Sequence, residues 1–162
     1  MNQTEHTRQR LQFLSRVLKR ECTHLSETSD RLFSQSFSKE RAAALPTDSL
    51  LSERVEAFVS RFLRLQDTLG DKLIPQLLRA LGEKPATVMD NLDKAESLGW
   101  ITSAEDWQAI RQLRNQMIHD YIEDPVILCS AIQAAQGFVP KLIATSEKLQ
   151  KELCSRGYLD SQ

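Results

Sequence analysis

The chain has 162 residues, enough for one domain with a substantial hydrophobic core. It is 41% hydrophobic and 27% charged with only five glycines, a balance that favours packed helices over a sandwich or barrel, and no apolar run is expected to span a bilayer. The formal net charge of −1 excludes a uniformly basic nucleic-acid binder, so any nucleic-acid contact must come from a local patch.

The opening MNQTEHTRQR lacks the apolar core of a secretory leader, which sets the expectation of a cytoplasmic protein. A first helix is expected over residues 5–36, because Leu11, Leu14, Leu18, Cys22 and Leu25 repeat at three- and four-residue steps, with Leu32 and Phe33 extending the face. The polar stretch SQSFSKERAAALPTDS, with Pro46, reads as a break that ends in a cap at Thr47, Asp48 or Ser49. A second helix then carries Leu51, Val55, Phe58, Phe62, Leu65, Leu69 and Leu73, a heptad-like seam fit for a bundle core or a dimer interface. Pro75 should kink it near Asp71, and Gly82 should end it. Arg61, Arg64, Lys72 and Arg79 on this helix read as a solvated face, or in a dimer as the lining of a groove for RNA.

A third helix is expected from Pro85 to Leu98, closed by Gly99, and a fourth from Ser103, where Ser103 and Asp106 have the form of a capping box. Asp124-Pro125 opens a fifth helix of about thirty residues, with a possible kink at Pro140 and a tail from about residue 155 that should fray. Neither strand alternation nor a repeat period is present. The expected fold is all-α, an up-and-down bundle of about five helices forming a single domain over residues 1–162. Cys22, Cys129 and Cys154 are far apart and form no CxxC, and His6, His24 and His119 are scattered, so neither a metal site nor a cofactor is expected. A Gly-rich phosphate loop, a Ser or Cys nucleophile with a second nearby histidine, and the paired acids of a nucleotidyltransferase are all missing.

The chemistry concentrates between residues 103 and 124. In WQAIRQLRNQMIHDYIED, a helical projection puts Trp107, Ile110, Leu113, Met117, Ile118 and Tyr121 on one arc, and Arg114 falls near its middle. A guanidinium there is costly unless paired, and Asp67 or Asp71 on the second helix could pair it. His119 lies five residues on, about 140° around a straight helix, so the two meet only if the helix ends or distorts, or if a second subunit contributes. Asn115, four residues before His119, can reach its imidazole and fix the tautomer. The residues alone leave His119 readable as a solvent-exposed histidine near a helix end.

RNQMIHDY, residues 114–121, resembles the Arg-x4-His-x-Tyr signature of HEPN proteins, in particular the HepT-like toxins paired with minimal nucleotidyltransferases. The polar residue after the arginine fits, as do DTLGDKLIPQLLRALGE and MDNLDKAESLGWITSAEDW upstream, so the resemblance covers roughly residues 50–125. It implies a metal-independent endoribonuclease in which His119 is the acid–base residue or orients the 2′-oxygen, and Arg114 stabilises charge on the phosphoryl oxygens. It further implies Asn115 as an orienting residue, Tyr121 as an AMP acceptor or RNA contact, and Asp120, Asp71 and Arg64 in support. The partners so implied are a second copy of the chain, a cognate nucleotidyltransferase antitoxin and RNA, with no membrane. Some relatives resemble non-catalytic partners of a nucleotidyltransferase that hold a nucleotide in the bundle cleft, and a purely structural adaptor is a third reading.

Overall fold

The computed structural model describes residues 2–84, 86–119 and 124–160, apart from the side chains of residues 118 and 119. Among these residues all regular structure is helical: α1 (Gln3–Leu32), α2 (Lys39–Ala43), α3 (Ser49–Asp67), α4 (Ile74–Ala80), α5 (Val88–Ser97), α6 (Ala104–His119) and α7 (Pro125–Ser155). A short 3-10 turn, Leu45–Thr47, precedes α3, and a π-helical turn, Thr68–Leu73, joins α3 to α4 in one rod. The bundle is therefore built from α1, the α3–α4 rod, α5, α6 and α7, with α2 as a short addition.

The cross-links between helices give the up-and-down order. Thr68 near the foot of α3 bonds Glu21 of α1, Arg61 bonds the His24 carbonyl and the Thr28 hydroxyl, and Phe58 meets Phe33 edge-to-face at 5.1 Å, so α1 and α3 run antiparallel. Arg111 with Asp71 and Arg114 with Asp67 set α6 antiparallel to the rod. Lys141 with Asp106 reverses α7 against α6, while Gln133 on the Phe37 carbonyl and Gln150 on the Ser15 carbonyl reverse it against α1. The seam from Leu51 to Leu73 is buried throughout and packs inside this one chain. It is core, and is no longer available as the dimer interface that was the alternative.

Several boundaries differ from the sequence expectation for local reasons. α1 stops at Leu32 because Ser34, Gln35 and Ser36 turn the chain, and the Arg41 guanidinium holds that turn by donating to the carbonyls of Leu32, Gln35 and Ser36. Within the expected break, Ser38 caps the short α2. Asp48 supplies the α3 cap, accepting from the Leu51 N–H at 3.0 Å. α5 starts at Val88, not in the Pro85 turn, because Thr87 and Asp90 cap it reciprocally: the Asp90 N–H donates to the Thr87 hydroxyl and that hydroxyl to the Asp90 carboxylate. Pro85 itself lies outside the described residues. At the other end Gly99 adopts φ 78°, which lets the buried Trp100 N–H reach back to the Ala95 carbonyl.

The C-terminal tail, expected to fray, is docked through Asp160. The Gly157 and Tyr158 carbonyls accept from Arg8 and Gln12 of α1, and Arg8 stacks over the Tyr158 ring at 5.7 Å. α7 passes through Pro140 as one helix, with that proline on the exposed side. The expectation that no segment is apolar enough to span a bilayer fails for α7. It contains an 18-residue stretch of mean hydropathy 1.5, sufficient by length and composition, of which 39% is buried. In the fold its inner face, from Leu128 to Leu153, packs into the core.

Candidate functional site

The π-turn originates in the sequence. Pro75 has no N–H for the Asp71 carbonyl and its ring would strike that carbonyl in a regular helix. The chain relieves this by widening one turn, so that the Ile74 N–H donates to the Leu69 carbonyl five residues back. The expected kink near Asp71 thus takes the form of a π-turn. Its Gly70 lies against the face of Trp107 from α6, and a Cβ there would come within 3.2 Å of the indole. α6 is seated on the rod at this point.

α6 begins at Ser103, whose hydroxyl accepts from the Asp106 N–H at 3.1 Å, but the second half of the expected capping box is not made. The Asp106 carboxylate instead takes Lys141 at 2.9 Å, and a carboxylate from α5, Glu96, accepts from the Ala104 N–H at 2.8 Å. Trp107, Ile110, Leu113 and Met117 are buried as the projection requires. Arg114, on the same arc, reaches out along the α3–α6 seam with its side chain 36% exposed. Of the two carboxylates that could pair it, Asp67 does, and Asp71 pairs Arg111.

The two pairs are not equivalent. Arg111 meets Asp71 at 2.7 Å, a normal charge-assisted distance. Arg114 faces Asp67 through Nε at 3.2 Å and Nη2 at 3.5 Å, long for such contacts. Its Nη1 donors are not among the atoms facing Asp67, so this guanidinium is oriented but loosely held. Asn115 is solvent-exposed. The backbone of His119 is the last residue of α6, so the arginine and the histidine occupy the final turns of one helix. The His119 side chain, Asp120 and Tyr121 lie outside the described residues, and Asn115's role toward His119 with them.

Beside Asp67 sits a polar cluster that the sequence did not single out. Glu21 of α1 accepts from the Thr68 hydroxyl at 2.9 Å, and its other carboxylate oxygen is buried without a hydrogen-bond partner among the described residues. Burial pushes its pKa above the ordinary carboxylate value, against the opposing pull of the Thr68 bond and of Lys72 and Arg64. Arg64, an expected supporting residue, is exposed and acts here on Glu21. Arg61 is tied back to α1, leaving Arg64, Lys72 and Arg79 as the exposed cations of the face considered for RNA. Gln66 is fully buried, and neither side-chain polar atom has a partner among the described residues.

A pH dependence follows for Glu21. A carboxyl whose folded pKa is raised stabilises the fold at acid pH, below the unfolded value, and loses that contribution as pH rises through the folded value. Glu21→Gln, which is neutral and can still accept from Thr68, should therefore be more stable than the parent at pH 7, with the gap closing as both are acidified through the carboxylate range. Urea unfolding at pH 4 and pH 7 measures this; a variant less stable than the parent at pH 7 contradicts it.

No protein-family model, curated protein or solved structure matches this chain. The functional reading therefore rests on the residues and their geometry.

Proposed function

We propose that this protein is a HEPN-like, metal-independent endoribonuclease of the HepT type, with Arg114 and His119 as its essential pair. The observation that carries the reading is an arginine on the apolar arc of α6, oriented by a long contact to Asp67, five residues before the histidine that ends the helix. In this reading an RNA 2′-hydroxyl attacks the adjacent phosphorus, the P–O5′ bond breaks, and a 2′,3′-cyclic phosphate forms. His119 takes or gives the proton, and the Nη1 edge of Arg114 holds the charge that develops on the phosphoryl oxygens. Asn115 orients the imidazole. Metal-independent cleavage of single-stranded RNA, lost in His119→Ala, is the test.

Because five residues separate the pair by about 140° on a straight helix, a site shared between two copies of the chain is part of the proposal. Mixing Arg114→Ala with His119→Ala, each severely impaired alone, should restore cleavage in heterodimers if each site takes one residue from each copy. Inactive mixtures, or a monomer by light scattering at micromolar concentration, would place both residues in one copy. Tyr121, two residues after His119, is proposed as an AMP acceptor for a partner nucleotidyltransferase, since a phosphodiester there would compete for Arg114. Intact mass after co-expression, compared with Tyr121→Phe, tests it; an unmodified but silenced chain points to steric inhibition instead.

The long Arg114–Asp67 contact also suits a second reading, in which the same guanidinium holds a nucleotide phosphate without cutting. Nucleotide binding lost in Arg114→Ala, with no cleavage by the parent, would select it.

A further inference from the structure

Residues 6–20 of α1 contain Arg8, Arg10, Arg16, Lys19 and Arg20 and not one carboxylate, in a chain that otherwise has more acidic than basic groups. Leu11, Leu14 and Leu18 turn the apolar face inward, which leaves Arg10, Arg16, Lys19 and Arg20 exposed on the outer side. Phe13 lies among them, 46% exposed, with the Arg10 guanidinium 5.5 Å from its ring centre. Between α1 and the end of α7 runs a groove of about 920 Å³, lined by the cations Arg16, Lys19 and Lys151 together with Cys154, Leu159 and Asp160. Among the described residues none of Arg16, Lys19, Arg20 or Lys151 forms an ion pair.

Unpaired cations along a groove and an exposed aromatic on the same helix are the elements that hold a single nucleic-acid strand: charge tracks the phosphates and the ring stacks a base. We infer that the α1–α7 groove binds single-stranded RNA, with Arg16, Lys19 and Lys151 on the backbone and Phe13 as the stacking platform. The occupant's identity as RNA rests on the ribonuclease reading. A membrane surface fits less well, because Phe13 is the one large apolar side chain exposed on α1 among the described residues.

The probe is a fluorescein-labelled, fully 2′-O-methylated oligouridine, which can bind but offers no 2′-hydroxyl for cleavage, read by anisotropy over a salt series. The combined variant Arg16→Glu, Lys19→Glu and Lys151→Glu should weaken binding at least tenfold and flatten the salt dependence, while Lys84→Glu, an exposed cation elsewhere, should not. Phe13→Ala should weaken binding about fivefold or more with the salt slope unchanged, as loss of stacking requires. Circular dichroism checks that the variants remain folded, and Phe13→Trp, which keeps a stacking ring, should retain binding. Unchanged affinity in the triple variant overturns the inference, as does patch-dependent binding to phosphatidylserine vesicles with no binding to the oligonucleotide. A parent that binds through the groove but never cleaves unmodified RNA would sink the ribonuclease reading and leave this one standing; cleavage that ignores the groove variants would do the reverse.

Discussion

Arg114→Ala is expected to lower RNA cleavage by about 100- to 1,000-fold, the usual cost of removing a donor aimed at developing oxyanion charge. The fold should survive it. The ion pair with Asp67 is long and a third exposed on both sides, so its loss costs at most about 1 kcal/mol of stability. Arg114→Lys keeps the charge but not the planar fork, and should remain severely impaired. Asp67→Ala separates orientation from attraction. Without the carboxylate the guanidinium is free to swing, so kcat should fall about tenfold or more. KM should not rise, since removing a negative charge cannot weaken the pull on phosphate. Steady-state cleavage of a labelled RNA, with thermal unfolding of each variant, measures both. Full activity in Arg114→Ala would reduce Arg114 to the structural partner of Asp67.

The largest effect on stability should come from Trp107→Ala, at about 3–5 kcal/mol. The indole is buried and covers Gly70 in the π-turn, and the glycine has no side chain with which to fill the space. The loss is also functional, because Trp107 lies two turns before Arg114 and seats α6 on the rod that supplies Asp67. Gly70→Val approaches the same contact from the other side. Its extra carbons would press on Trp107, and overpacking of this kind costs about 1–3 kcal/mol. Urea denaturation reads both, and a Trp107→Ala variant within about 1 kcal/mol of the parent would mean that α6 is seated elsewhere.

How far the sequence was readable depended on whether a feature is local. The buried faces of α1, the rod and α6 follow from three- and four-residue spacing, which needs only the helix period. Ser103 was readable as a cap, and Asp48 as one of three candidates with Thr47 and Ser49, because each acts within its own turn. The π-turn was legible as a kink at Pro75 but not as a widened turn, since that choice is made with Gly70 and Trp107 in contact. Glu96 capping α6, Arg41 tying off α1 and the docked tail join residues from different segments, which no single-segment pattern contains. In the site, the need to pair Arg114 could be inferred from its place on an apolar arc, and Asp67 was one of two candidates. That Glu21 would bond Thr68 beside Asp67, and that Gln66 would be buried without a side-chain partner among the described residues, could not be inferred, because each has the periodicity of an ordinary helical residue.

His119 and Arg114 are proposed to cut RNA without a metal. The most direct measurement incubates the protein with end-labelled single-stranded RNA in excess EDTA, maps the product ends, and repeats this with His119→Ala. Cleavage that persists in EDTA, leaves 2′,3′-cyclic phosphate ends and disappears in His119→Ala while the helical circular dichroism signal is retained is the expected result. Cleavage stopped by EDTA, or undiminished in His119→Ala, contradicts the account.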